Sequence, residues 1–115
     1  MIESIISMEL PAGGHLAIRR NRICPEQETK QCRRISLVSG IHGDELEGQY
    51  ICYETARRVK EHPEYLKGIV DIYPALNPLG IDMASRTVPR LDMDMNRMFP
   101  GDAAGDMMER ITAAV

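Results

Sequence analysis

The residues best suited to chemistry lie in two short motifs, Gly40-Ile-His-Gly-Asp-Glu45 and Asp92-Met-Asp-Met-Asn-Arg97. In the first motif, His42 and Glu45 are three residues apart, so on a tight turn or a first helical turn both side chains can face one point. An imidazole nitrogen and a carboxylate are two of the three protein ligands in a His₂Glu catalytic zinc site. The first motif therefore indicates a metal site.

A second interpretation of this motif stays open. Asp44 and Glu45 could simply complement the N-terminus of the helix that comes next, with His42 as a polar turn residue. His-x-x-Glu alone is a weak indicator. Its position favours a site, because ligands of open α/β sheets collect at the carboxyl ends of strands. Gly40 and Gly43 also allow the backbone to approach other groups closely.

The second motif and the arginines before it suggest binding of a carboxylate or a carbonyl group. Arg97 could form two parallel hydrogen bonds to a carboxylate, and Asn96 offers a donor and an acceptor beside it. Upstream, Arg86 or Arg90 near a metal could stabilise an oxyanion that develops on a carbonyl oxygen. The alternative is a loop whose Asp and Arg side chains pair with each other, with the upstream arginines as solvated surface charges.

The elements that must position these motifs are indicated by the hydrophobic pattern. An apolar segment at residues 35–39 predicts a strand that stops at Gly40, and an amphipathic helix comes after it. We expect one broad apolar face on this helix, made of Leu46, Tyr50, Cys52, Tyr53, Ala56 and Val59. His62-Pro63 ends the helix, and residues 68–73 predict a second strand. The order strand–helix–strand predicts a βαβ unit with parallel strands.

The remaining segments are shorter and more polar. Residues 2–10 and 15–23 are predicted strands on either side of a Pro-Ala-Gly-Gly turn. Residues 25–31 are predicted to form a loop, and a last helix is expected to start near Asp106. The pattern thus predicts an α/β chain with a β-rich N-terminus.

Composition excludes several classes of protein. The chain has 115 residues, room for one domain at most. Its net charge of −3 does not suit a nucleic-acid binder. No apolar run is long enough to span a membrane, and the N-terminus lacks a signal-peptide pattern. Three cysteines, an odd number, favour a reduced chain, so we expect a cytoplasmic protein.

Three features in order resemble one enzyme family. They are residues 40–48 after a strand, Asn77-Pro-Leu-Gly80 after the next strand, and Asp94-Met-Asn-Arg-Met-Phe-Pro-Gly101. Together they look like the succinylglutamate desuccinylase/aspartoacylase family, within the wider zinc carboxypeptidase clan, over roughly residues 35–101. The resemblance implies an α/β, zinc-carboxypeptidase-like fold, present here as an incomplete, mostly parallel sheet with a βαβ unit and a β-rich N-terminus.

The resemblance also implies roles for individual residues. His42 and Glu45 match the first two zinc ligands, and Asn96 and Arg97 match the pair that holds the substrate carboxylate. Arg86 is the expected residue that polarises the scissile carbonyl, with Arg90 as the alternative. The implied reaction is hydrolysis of an N-acyl amino acid or a related amide. Zinc would activate a water, and a carboxylate would act as general base.

The chain departs from the family pattern downstream of these motifs. The family takes its third zinc ligand, a second His, and its catalytic Glu from downstream positions. Here His15 and His62 lie outside any matching motif, and Glu109 comes too early. We therefore expect residues 1–115 to be the N-terminal portion of a single zinc-hydrolase catalytic domain. The complete enzyme would hold one zinc ion, whereas this chain would bind zinc weakly or not at all.

Two further expectations concern partners. An incomplete sheet exposes an edge that invites association, so a homo-oligomer is one expected state. The alternative to an enzyme portion is a complete, non-enzymatic module that binds a metal, a carboxylate ligand or a partner protein.

Overall fold

The computed structural model describes residues 1–27 and 31–115 and contains a four-stranded sheet. The strands are β1 (Ile2–Glu9), β2 (His15–Ile23), β3 (Arg34–Val38) and β4 (Ile69–Tyr73), and the helices are α1 (Glu47–Glu61), α2 (Pro78–Asp82) and α3 (Met107–Ala113). The predicted strands and the two predicted helices are confirmed to within a few residues. The predicted loop at 25–31 lies partly outside the described residues. None of the described helices has the length and apolar character needed to cross a membrane.

The strand order is β1-β2-β4-β3. β3 and β4 are parallel, from the Arg34–Ile69 pair to the Val38–Tyr73 pair, and α1 connects them, which confirms the βαβ unit. β1 pairs with β2, and β2 with β4, in antiparallel fashion. The expected mostly parallel sheet is therefore wrong for these four strands. β1 and β2 are joined by a turn of a few residues, and so short a connection permits only antiparallel pairing.

Apolar side chains form a separate core on each face of the sheet. Because side chains alternate along a strand, Val70 and Ile72 of β4 point to the face that α1 covers, where they pack with Cys52. Leu16 and Ile18 of β2 belong to the core on the opposite face. The other buried members of that second core are Leu76, Val88, Met95, Met108 and Ile111. Residues after β4 thus close the second face.

The apolar face predicted for α1 is broader than the face that is buried. Cys52 is buried against the sheet, but Tyr50 and Tyr53 are 66% and 64% exposed. On a helix of 3.6 residues per turn, Tyr53 lies about 100° and Tyr50 about 160° from Cys52. A flat sheet contacts only a narrow stripe of a helix, so these tyrosines and Leu46 remain at the surface.

An ion-pair cluster fixes the sheet on the face away from α1. Asp71 of β4 is 1% exposed and accepts two hydrogen bonds of 2.7 Å from Nε and Nη2 of Arg22, its neighbour on β2. Arg34 Nε and Arg20 Nη1 lie 3.6 and 3.8 Å from Asp71 Oδ2. Arg22 above all holds the pKa of the Asp71 carboxyl below its usual range, against the opposing effect of burial. The cluster joins β2, β4 and β3.

We predict that Asp71→Asn destabilises the chain in a pH-dependent way. The stabilisation by Asp71 is complete above the pKa of an unfolded aspartate, about 3.9. It is lost as the pH falls through the lower pKa of the folded carboxyl. Near neutral pH the substitution leaves three guanidinium groups without their buried anion and should cost about 2–4 kcal/mol. Urea unfolding of both chains across the acid range measures the difference.

The exposed Asp82 provides the matched control, because Asp82→Asn makes the same chemical change without a buried partner. The difference in the free energy of unfolding between wild type and Asp71→Asn should become smaller as the pH approaches 2 to 3, roughly where carboxylates protonate. A gap of constant size over that range would contradict the assigned role of the ion pair.

Candidate functional site

The loop after β3 brings His42 to the carboxyl end of the sheet. Gly40 turns the chain with a left-handed backbone, at a φ of 66°. Gly43 then lies so close to α2 that a Cβ there would clash with the backbone of Gly80. Gly43 N also donates to Ser85 O at 2.8 Å. These contacts hold the His42 side chain in a buried position in the loop that leads to α1.

Four charged or titratable side chains meet at this point. His42 Nδ1 lies 3.2 Å from Glu45 Oε2, and His42 Nε2 lies 3.0 Å from Asp94 Oδ1. Arg86 spans the two carboxylates, with Nη1 3.5 Å from Glu45 Oε1 and Nη2 3.7 Å from Asp94 Oδ2. One imidazole is thus held between two carboxylates, and one guanidinium bridges them. We call these four residues the His42 cluster.

The electrostatics of the cluster arise from these contacts. Asp94 first, and Glu45 second among the side-chain bonds, raise the pKa of His42, against burial and the nearby Arg86 cation. His42 in turn lowers the pKa of Asp94, helped by the backbone N–H of Asn96. Asp94 therefore remains a carboxylate that fixes the orientation of the imidazole ring.

The donor set suits a divalent metal ion but does not complete a site. Two ligands of a tetrahedral zinc ion lie about 3.4 Å apart when each bond is 2.0–2.1 Å, and His42 Nδ1 and Glu45 Oε2 are 3.2 Å apart. A carboxylate on the other ring nitrogen, as Asp94 is, commonly orients a metal-binding His. Within residues 1–27 and 31–115, however, no group of three or more His, Cys, Asp or Glu side chains could hold a metal ion.

The structure separates the two arginines that the sequence left as alternatives. Arg86 contacts both carboxylates of the His42 cluster. Arg90 is exposed, has a left-handed backbone with a φ of 69°, and takes part in no ion pair found in the described part of the chain. Asn96 and Arg97 are exposed on the 3₁₀ turn Met95–Arg97, whose N-cap is Asp94. They therefore lie two and three residues after Asp94, a member of the cluster.

Sequence reasoning assigned no individual role to Asp94. Its position two residues before Asn96 does indicate an Asx cap, and Asp94 Oδ1 accepts from Asn96 N at 2.9 Å. Its bond to His42 joins residues 52 positions apart, which no local pattern shows. Glu109 belongs to a capping box at the start of α3, where its Oε2 accepts from Asp106 N.

Comparison with known proteins identifies the family. The model of the succinylglutamate desuccinylase/aspartoacylase catalytic domain matches residues 31–114. The chain belongs to this family. It is 36% identical over 75 residues to the N-alpha-acetyl-L-2,4-diaminobutyric acid deacetylase of Halomonas elongata, covering 65% of this chain and 21% of that protein.

Solved structures of the family share the fold. A succinylglutamate desuccinylase/aspartoacylase from Rhodobacter sphaeroides matches with a TM-score of 0.72 and 32% identity, over 88% of this chain and 29% of that one. The ectoine utilisation protein EutE (DoeB) from Ruegeria pomeroyi, in a product-bound structure, matches with a TM-score of 0.75 and 28% identity, over 94% of this chain and 32% of that one. The chain thus spans about a third or less of the length of these relatives.

We predict that Gly43→Ala disrupts the loop that carries His42. The new Cβ would meet the backbone of α2, which cannot move aside as a flexible side chain can. The free energy of unfolding should fall by about 2–3 kcal/mol, as overpacking of a dense site does. Gly13→Ala is the comparison, because its Cβ would meet nothing within 4 Å although its φ is 75°. That change should cost about 1 kcal/mol, and equal losses would contradict close packing at Gly43.

Proposed function

We propose that this chain carries the N-terminal part of the catalytic domain of a zinc-dependent deacylase. Its substrate would be an N-acyl amino acid or a related small carboxylate, cleaved at the amide bond. The observation that carries the proposal is the His42 cluster at the carboxyl end of β3. The similarity to a deacetylase whose name specifies an N-acetylated amino acid supports the substrate class. We extend the proposal to a zinc-carboxypeptidase-like architecture for the complete domain.

In this proposal the members of the cluster have distinct tasks. His42 Nδ1 and Glu45 would hold a zinc ion, and Asp94 fixes the His42 ring from its other nitrogen. When bound, zinc would supply a Lewis acid that lowers the pKa of a water molecule. Arg86 donates to the oxygen of the scissile carbonyl as negative charge develops there. Its contacts to Glu45 and Asp94, at 3.5 and 3.7 Å, are long enough to be exchanged for that oxygen.

Asn96 and Arg97 hold the carboxylate of the substrate. The Arg97 guanidinium matches a carboxylate with two parallel donors, and the Asn96 amide adds a further donor. Both side chains are exposed and therefore accessible to a ligand. Their turn starts at Asp94, so the substrate carboxylate would be anchored beside the cluster.

The proposed site needs a third metal ligand and a general base from elsewhere. The described residues offer two ligands, His42 and Glu45, whereas catalytic zinc sites use three protein ligands. The relatives are at least about three times as long as the matched region. Among the residues that the structure describes, β3 also leaves one edge of the sheet unpaired, with Ile35 and Val38 exposed along it. These facts support a larger domain whose remaining part completes the site.

We predict weak, specific binding of zinc to the isolated chain. Two protein ligands should give a dissociation constant of roughly 10⁻⁵ to 10⁻³ M, since tight structural sites need four ligands. Calorimetric titration of the chain with zinc measures it. His42→Ala should weaken binding at least about tenfold, whereas His62→Ala, at an exposed helix end, should leave it unchanged.

Each other result has a clear meaning. Equal binding by wild type and His42→Ala would contradict the proposed metal site. Tight one-to-one binding that is lost in His42→Ala would favour the complete, non-enzymatic metal-binding module. Zinc-dependent hydrolysis of N-acyl amino acids by the pure chain would contradict an incomplete catalytic site.

We also predict that Asp94→Asn weakens zinc binding about tenfold, the usual effect of removing a carboxylate that orients a metal-binding His. The neutral amide no longer holds the His42 ring by a charge-assisted bond. Asp92→Asn removes the same charge from the same loop, where Asp92 instead accepts a hydrogen bond from Thr87. The same titration compares the two variants, and equal effects would assign the loss to charge alone.

A further inference from the structure

A buried asparagine lies where three segments of the site meet. Asn77 is 2% exposed, comes after β4 and is the N-cap of α2. Its backbone N–H donates to Gly40 O at 2.7 Å, and its backbone carbonyl accepts from Ile81 N at 3.0 Å. The backbone of Asn77 is therefore fixed both to the loop after β3 and to α2.

The side-chain amide of Asn77 reaches two further segments. Its Nδ2 donates to Ile41 O at 3.3 Å and to Thr87 O at 3.4 Å. Its Oδ1 accepts from Gly80 N at 2.8 Å. Ile41 precedes the candidate metal ligand His42, and Thr87 comes directly after Arg86 in the chain. One planar amide thus connects the loop of the metal ligand to the loop of the guanidinium.

The chemistry of the amide is specific to this task. An NH₂ group has two donors in a fixed plane, and here each one has a carbonyl acceptor. A buried donor or acceptor without a partner is costly, so Ile41 O depends on Asn77, while Thr87 O accepts both from Asn77 Nδ2 and, at 2.9 Å, from Ser85 Oγ. A backbone bond from Gly43 N to Ser85 O joins the same two loops on the other side of Arg86. The two connections together leave Arg86 little freedom at its backbone.

We propose that Asn77 is a positioning residue that fixes the distance of Arg86 from Glu45 and Asp94. Its two donated hydrogen bonds hold the Arg86 loop at a fixed distance from the His42 loop. The catalytic meaning of that distance rests on the proposed function, but the positioning itself is a property of the described chain. Asn77→Asp isolates it, because a carboxylate still accepts from Gly80 N and cannot donate to two carbonyl groups.

A double-mutant comparison by NMR tests the proposal. Removing the Arg86 guanidinium in Arg86→Ala should shift the backbone amide signals of Glu45 and Asp94, which it contacts. In an Asn77→Asp background the same Arg86→Ala change should shift those signals by less than about half as much, as expected for coupled residues. Asn21→Asp is the matched control, because Asn21 lies on β2, outside both loops, and it should leave the full shift in place.

The outcomes separate positioning from plain stabilisation. A folded Asn77→Asp chain with an undiminished Arg86→Ala shift would overturn the proposal, even if the chain were less stable. If Asn77→Asp does not fold, the proposal is tested by hydrogen exchange of the side-chain amides in the wild-type chain. The Asn77 side-chain NH₂ protons should then exchange with solvent at least about tenfold more slowly than those of the exposed Asn96, as two buried hydrogen bonds require. Equal exchange would overturn it.

Zinc takes no part in these measurements. Failure of the zinc titration would count against the proposed function and leave the role of Asn77 standing. An Arg86→Ala shift that Asn77→Asp does not reduce would count against the positioning role and leave the proposed metal site standing.

Discussion

The parallel pairing of β3 with β4 is the constraint on which the site depends. Parallel strands direct their carboxyl ends to the same edge of a sheet, so the loops at those ends must share one space. The pairing continues past the strands, through Ser39 N to Tyr73 O at 2.9 Å and Leu76 N to Ser39 O at 3.1 Å. The last of these hydrogen bonds runs from Asn77 N to Gly40 O, and Gly40 lies two residues before His42. The loop that carries His42 and the turn at Asn77 are thus neighbours, because the hydrogen bonds between the strands continue as far as these residues.

Close packing then converts this proximity into a defined geometry. Gly43 lies against Gly80 at a separation that admits no side chain. The chain after α2 returns to the same place, since Gly43 N bonds Ser85 O and Asn77 Nδ2 bonds Thr87 O. Arg86 lies between those two anchors. The isolated bridge between Val88 and Met93 carries the chain on to Asp94, which reaches His42 from the opposite side to Glu45.

The sequence predicted those parts of this arrangement that depend on neighbours in the chain. The strand before Gly40, the βαβ unit and the cap at Asp106 are indicated by apolar spacing and local hydrogen-bond chemistry. The bond between His42 and Asp94 could not be predicted, because residues 52 positions apart meet only through the fold. Arg86 was expected with Arg90 as the alternative, because an irregular loop has no periodicity that fixes the choice, and only the path of the backbone distinguishes them.

The error on α1 has a related cause. An apolar residue such as Tyr50 or Tyr53 shows that a surface suits burial, but not which partner buries it. The sheet described here covers only the Cys52 side of the helix. The same limit applies to the sheet itself, since the hydrophobic pattern of β1 and β2 does not distinguish parallel from antiparallel partners. The shortness of the turn between them does.

Two charged clusters that join different segments of the chain show how exposure distinguishes a structural ion pair from a candidate binding site. Both join one or two carboxylates to arginine across different segments. In the first, Asp71 is 1% exposed and its two bonds to Arg22 are short, so water cannot compete and the charges are committed to the fold. In the second, Glu45 and Arg86 have side chains that are 60% and 56% exposed, and their contact is 3.5 Å long.

Exposed ion pairs contribute little to stability, so the His42 cluster is not explained by a need to hold the fold together. Its exposed members can instead exchange partners at small cost, while buried His42 and partly buried Asp94 remain fixed. A rigid imidazole beside replaceable charged groups is what a ligand-binding site requires, because the ligand then displaces weak contacts and meets an orientation already set.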